Sequence, residues 1–509
     1  MTARPVDPDF LDLPRQALAD AALAAAVSAG ASYADLRIHR ITSEYIQLRD
    51  GELESAVESR EVGLAVRVIV NGTWGFASHA ELTADVAAET ARRAVSVATV
   101  LEPLNAEQVD LAAEPVYTDA TWVSDYLIDP FDVPTPDKIT LLGEYAGRLL
   151  AADGVDHVSA GMNAVKEQTF YADTFGSSIT QQRVRVMPML EAVAVDAAAG
   201  SFESMGTLSP PYGRGWEVLA GDDVWNWSQE LADLPGLLAE KVKAPSVVAG
   251  PTDLVIDPSN LWLTIHESIG HATEYDRAIG YEAAYAGTSF ATPDKLGTMR
   301  YGSPVMHVTA DRTVPHGLAS IGYDDEGVQA QSWDLVRDGI FVGYQLDRVF
   351  AQRLGQGQGS PRSNGCSYAD SPHHVPIQRM ANVSLQPAAE DVSTQDLISR
   401  VSDGIYIVGD KSWSIDMQRY NFQFTGQRFY RIRDGRLDGQ LRDVAYQATT
   451  TDFWNSMEAV GGPKTWVLGG AFNCGKAQPG QVAAVSHGCP SALFRGVNVL
   501  NTRIEGGHS

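Results

Sequence analysis

The chain has 509 residues, 44% hydrophobic and 20% charged, which is ordinary globular composition. A formal net charge of -26 repels phosphate backbones, which argues against nucleic acid as a partner; it reads first as a solvated surface, which is also able to attract basic peptides. Three cysteines are too few for a disulfide framework and fit a reducing cytoplasm, where thiols stay free for metal.

The opening MTARPVDPDF lacks an apolar core, so no signal peptide is expected. Ala17 to Val27 is alanine-rich but broken by Asp20, and suits a helix outside the membrane. Leu13 to Gly30 has helical periodicity ending at a glycine. Tyr45 to Leu48 and Gly63 to Val70 read as strands. Each leads into a pair that tolerates positive φ, Asp50-Gly51 and Asn71-Gly72. Ala80 to Val100 reads as a helix. Thr135-Pro136 opens another, reaching about Leu150, with Thr135 as its cap. Val155 to Val195 alternates β-formers, and Gln229 to Val242 predicts a helix interrupted by Pro235.

Lys243 to Pro251, with two prolines and a glycine, reads as a boundary. The fold class expected is α+β, with an N-terminal mixed α/β region over 1–245 and a β-rich domain over 246–509 that carries the metal-site helix. In the second part, Leu254 to Ile256 and Tyr420 to Ile432 read as strands. Phe422, Phe424 and Phe429 mark buried faces of the latter, and Asp338-Gly339 and Asp434-Gly435 mark turns. Gly355 to Asp370 is rich in glycine and serine and predicts a mobile surface loop with Cys366 as an unpaired thiol.

The informative segment runs from Pro258 to Asp276. Ser259 or Asn260 is placed to cap a helix behind Pro258. Leu261, Ile265, Ile269 and Ala272 form one apolar stripe, with His266 and Glu267 on its flank. The motif is His266-Glu267-Ser-Ile-Gly270-His271, one residue longer than His-Glu-x-x-His. In this composition, chance supplies roughly 0.015 such matches. Residues four apart on a helix differ by about 40° in direction, and five apart by about 140°. Two histidines five apart therefore reach one metal only if the helix ends at Gly270 or carries a π-type extra residue there. Glycine makes either relaxation inexpensive.

The run from His266 to Asp276 resembles the signature of the TldD/PmbA (TldE) family of metalloproteases. The resemblance extends to Gly63–Phe76, Tyr323–Gly327, Gln378–Asn382 and the stretch Cys474-Gly475-Lys476 with Gln478–Gln481. Tyr275 stands where many members have glycine, and Gln378 where proline is usual. The resemblance implies His266 and His271 as zinc ligands, Glu267 as catalytic base and Cys474 as third protein ligand. Zinc accepts nitrogen and thiolate together, and a catalytic site keeps its fourth position for water. The resemblance also implies a TldE/PmbA-like partner in a heterodimer around extended or unfolded peptides.

The expected activity is therefore zinc-dependent peptide hydrolysis in the cytoplasm, with no nucleic acid or membrane partner. Glu274 or Asp276 is placed to orient a ligand histidine through its other N–H. Two other readings stay open: a non-catalytic peptide-binding or regulatory subunit, and a metal-dependent amidase. His307, His316, His373, His374 and His487 read as surface or internally satisfied groups. Cys489, in Ser-His-Gly-Cys-Pro, is the rival to Cys474, which the family match favours.

Overall fold

Positive-φ turns fold the first strands into a meander. Asp50-Gly51 and Asn71-Gly72 all have φ between 46° and 84°, and they join Tyr33–Arg49 to Glu52–Val70 and then to Thr73–His79. The computed structural model describes residues 4–196, 201–355, 362–476 and 480–505. His157–Asp173 and Ser178–Asp196 extend the meander into a seven-stranded sheet, completed by Ala120–Val123 and Ser201–Gly206. Every pairing in it is antiparallel except that of Ala120–Val123, which runs parallel to Ser178–Asp196.

One face of this sheet is apolar. Leu36, Ile38, Leu64, Val66 and Val68 are fully buried with residues of helices Arg15–Ser28 and Ala84–Leu101. Ile46, Leu48, Val158 and Met162 pack with helices Thr135–Leu150 and Trp227–Lys243. The opposite face buries Asp35, Arg37, His39, Arg67 and Glu167. Those side chains meet the second half of the chain: Arg37 pairs with Asp325 at 2.7 Å and Arg67 with Glu326 at 3.0 Å.

The second half is β-rich and includes a barrel. Gly250–Ile256, Asp403–Ile415, Asn421–Arg433, Val444–Thr449 and Ala492–Asn501 pair in a closed ring, so none of the five ends as a free sheet edge. Phe422, Phe424, Tyr446, Phe453 and Phe494 fill it, with Phe453 stacked on Phe494 at 4.2 Å. Helix Pro258–Ile265 leaves the first barrel strand and packs on a separate hairpin, Val467–Lys476 with Gln481–Cys489. This is the expected α+β class, with the mixed region first and the barrel after it. Among the described residues, no helix is long and apolar enough to cross a membrane.

Several local expectations need correction. The helix before the boundary is capped by Asn226 and runs through Pro235, held to the sheet by buried Trp227, Leu231, Leu234 and Leu238. Thr135 lies inside its helix rather than capping it, and its hydroxyl donates to Glu44 Oε1 at 2.9 Å. Of the expected mobile loop Gly355–Asp370, residues 356–361 lie outside the described residues. Residues 363 and 365–367 are buried rather than on the surface. Ser363 Oγ donates to Leu346, and Cys366 is fully buried in the core. Burial pushes the Cys366 thiol up to about 11.

Candidate metal centre

The site helix begins two or three residues earlier than expected. Asp257 is its cap, accepting the Ser259 amide at 3.0 Å, so Ser259 and Asn260 lie inside the first turn. Leu261, Ile265, Ile269 and Ala272 are all fully buried. From His266 to Gly270 the helix widens into a π-type turn, and His271–Thr273 then tightens to a 3-10 turn. That is the local distortion the five-residue spacing demands.

The surroundings hold this turn open by taking up its backbone carbonyls. Tyr301 donates its hydroxyl to Ser268 O, and Gln345 Nε2 donates to Gly270 O at 2.8 Å. Thr273 Oγ1 donates to Ile269 O at 2.9 Å. Gly270 is required for close approach: a Cβ there would sit 2.6 Å from Met380 Sδ.

The turn brings the His266 and His271 rings to 4.7 Å between centroids, at 78° to one another. Cys474 arrives from the separate hairpin, with Sγ 3.4 Å from His271 Nε2. One ligand atom from each of the three lies within 4.8 Å of those of the other two. Zinc bonds of about 2.0–2.1 Å to nitrogen and 2.3 Å to sulfur would set tetrahedral donors roughly 3.3–3.6 Å apart, so the three groups fit such an ion.

The hydrogen bonds also assign the ring protons. Burial pushes His487 well down, and His266 adds to the effect, so His487 is neutral. Its Nδ1–H donates to Val383 O at 2.9 Å. His487 Nε2 therefore accepts from His266 Nδ1 at 2.7 Å. That leaves the lone pair of His266 on Nε2. His271 donates Nδ1–H to Glu274 Oε2 at 2.8 Å, which likewise frees Nε2. His271 Nε2 is the nitrogen that faces Cys474 Sγ, and His266 belongs to the same three-residue cluster.

Glu267 is 6% exposed and accepts from Arg419 Nη1 at 2.9 Å. Burial opposes its charge, but His271, His266 and Arg419 outweigh burial and hold its carboxyl below the usual range. Burial also opposes the Cys474 thiolate, and His271 and Arg379 more than offset it. Behind the histidines lies a buried charge network. Lys476 Nζ donates to Glu274 Oε1 at 3.0 Å, to Asp276 Oδ1 at 2.8 Å and to Gln378 Oε1 at 3.1 Å.

Of the two carboxylates expected to orient a histidine, Glu274 bonds His271 and Asp276 does not; Asp276 instead anchors Lys476. Cys489 is fully buried away from the cluster, with Sγ 3.6 Å from Pro258 O. His307, His316, His373 and His374 each face an acidic residue elsewhere.

Sequence reasoning missed three contributors. Lys476 had a signal, since it lies two residues beyond Cys474 and a strand places such residues on one face. His487 had a weak one, as the one ring in a strand whose residues from Val482 to Cys489 are otherwise small or apolar. Arg419, at the tip between Ile415 and Asn421 with φ 62°, had none.

Comparison with known proteins adds to this. Residues 249–501 match a family described as "PmbA/TldA metallopeptidase C-terminal domain", and residues 34–98 match "PmbA/TldA metallopeptidase domain 1". A protein named "Metalloprotease" from Methanothermobacter thermautotrophicus is 30% identical, over 92% of this chain and 96% of its own length. A "Zinc metalloprotease TldD homolog" from Saccharolobus solfataricus is 23% identical over 92% of this chain and 97% of its own. The solved structure of TldE from Thermococcus kodakarensis superposes with a TM-score of 0.68 at 15% identity. It covers 94% of this chain and 98% of its own, and shares the fold.

Proposed function

The chain belongs to the TldD/PmbA family of metallopeptidases, and from that premise we propose that it is a zinc peptidase of extended or unfolded peptides. His266, His271 and Cys474 hold the metal and Glu267 is the general base. The observation that carries this reading is the convergence of two Nε2 lone pairs and one sulfur, with Glu267 beside them.

When bound, zinc polarises a carbonyl and renders water nucleophilic near neutral pH. Glu267 takes the proton from the attacking water and passes it to the leaving amine nitrogen. The Arg419 guanidinium occupies Glu267 Oε2 and so leaves Oε1 to carry that proton. His487 and Glu274 fix the tautomers of the two ligand histidines, and Lys476 keeps Glu274 ionised. Burial of all four site residues excludes bulk water and strengthens each of these interactions.

We place the protein in the cytoplasm, paired with a TldE/PmbA-like subunit. The test is cleavage of an unstructured protein by the wild type and by Glu267→Gln, with and without that subunit. Wild type cleaves, and Glu267→Gln retains its zinc but loses about 10²–10⁴-fold in kcat. A Glu267→Gln protein that cleaves at the wild-type rate overturns the assignment.

A further inference from the structure

A crevice of about 480 Å³ opens between the first sheet and the second half of the chain, apart from the metal cluster. Phe76, Tyr281 and Phe350 contribute aromatic wall, and the Tyr281 and Phe350 rings meet edge to face at 5.1 Å. Four carboxylates line it, from Glu107, Asp276, Glu326 and Asp347, against two guanidinium groups. Both guanidinium groups are already engaged. Arg67 pairs with Asp35 and Glu326, and Arg353 pairs with Glu107.

Asp347 is left over. It is 7% exposed, its Oδ1 accepts only the Phe350 amide at 2.8 Å, and no cation pairs with it among the described residues. A buried carboxylate normally has a cationic or hydrogen-bonding partner for each oxygen. Burial, with Glu326 next in size, pushes its carboxyl well above the usual range, and a cation arriving beside it would offset both and favour the carboxylate. A second signal sits beside it. Gln378 is 1% exposed, its Oε1 is taken by Lys476, and its Nε2 is a buried donor with no partner.

We propose that this crevice is a binding site for an alkylammonium or guanidinium cation, with Asp347 as its counter-ion and Phe76, Tyr281 and Phe350 against its apolar stem. An ammonium on a methylene chain satisfies both demands, because the stem covers aromatic surface while the head meets the carboxylate. Gln378 Nε2 is then available to an amide carbonyl on the same ligand. The floor of the crevice communicates with the metal centre: Asp276 and Gln378 both bind Lys476, Lys476 binds Glu274, and Glu274 holds His271. Two carriers of this chemistry are a basic side chain of a peptide and a free polyamine.

The test is direct binding, so its outcome is separate from that of the peptidase reading. Calorimetric titration of the full-length protein uses Nα-acetyl-lysinamide, spermidine and the uncharged Nα-acetyl-norleucinamide. Acetyl-lysinamide binds at least about tenfold more tightly than the norleucine compound. Asp347→Asn, which keeps a capping oxygen for Phe350, weakens it by at least about tenfold. Val375→Lys, which adds an ammonium at the rim, weakens it in the same direction. Spermidine binding without acetyl-lysinamide binding keeps the cation site and assigns it to free polyamines. Failure of both cations to bind, equal affinity for the lysine and norleucine compounds, or full affinity in both variants overturns the proposal.

Discussion

His487 is not a member of the three-residue cluster, yet the geometry makes it decisive for one that is. Its Nε2 accepts the only proton that His266 Nδ1 can offer, at 2.7 Å, in a site where both rings are buried. His487→Ala removes that acceptor. The His266 Nδ1–H is then left buried and unpaired, which costs about 1–3 kcal/mol unless the ring turns or changes tautomer. A turned ring carries Nε2 away from His271 and Cys474, and a changed tautomer puts the proton on Nε2 and removes the lone pair a metal needs. Loss of such an outer partner lowers metal affinity about 10–100-fold, or roughly 1.4–2.7 kcal/mol. Competition titration against a chromophoric zinc chelator measures the change, with His316→Ala as the control that leaves affinity alone. Zinc affinity within about twofold of wild type in folded His487→Ala would refute the tautomer argument.

Other outcomes follow from the same contacts. His39 is fully buried with both ring nitrogens unpartnered, and burial pushes it down to about 4. Its folded pKa is below the unfolded value of about 6.5, so its contribution to stability is whole above that value. It is lost as pH falls towards 4, and amounts to about 3 kcal/mol over the window. His39→Leu therefore shows a shallower fall in urea-unfolding stability between pH 6.5 and 4; an unchanged slope would contradict this. Gly270→Ala drives a methyl against Met380 Sδ and lowers stability by about 1–3 kcal/mol. Adding Met380→Ala recovers part of the zinc binding lost in Gly270→Ala, and a double variant no better than the single one would count against the close-packing account. Leu261→Ala, in the fully buried stripe of the site helix, costs about 2–5 kcal/mol in chemical denaturation without altering the number of zinc ions bound.

Much of the site was legible because its peculiarity is local. Five-residue spacing between His266 and His271 cannot serve one metal from a regular helix, and the glycine before the second histidine shows where the helix yields. The Asp-Gly and Asn-Gly turns were legible for a similar reason, since a positive φ narrows the choice of residue. What escaped is tertiary. Tyr33–Arg49 is a seventeen-residue strand, yet only Tyr45 to Leu48 read as one. Asp35, Arg37 and His39 alternate with Ala34, Leu36 and Ile38, but the polar face of that pattern does not meet water: it buries its charge against the second half of the chain, as Arg37 does against Asp325. The serine- and glycine-rich stretch ending at Asp370 looked like surface, but Ser363 spends its hydroxyl on the Leu346 carbonyl and Ser367 its backbone amide on the buried Asp324 carboxylate. His487 comes to the metal cluster from a strand and Arg419 from a turn between strands, both far along the chain, and little in their own neighbourhoods announces the destination.

X-ray absorption at the zinc edge of the zinc-loaded wild-type protein tests the shared metal site most directly. The first shell predicted is one sulfur at about 2.3 Å with two or three nitrogen or oxygen atoms at about 2.0–2.1 Å, and the sulfur disappears in Cys474→Ser. A wild-type shell made only of nitrogen and oxygen, or a sulfur that persists in Cys474→Ser, would show that Cys474 and the two histidines do not bind one ion.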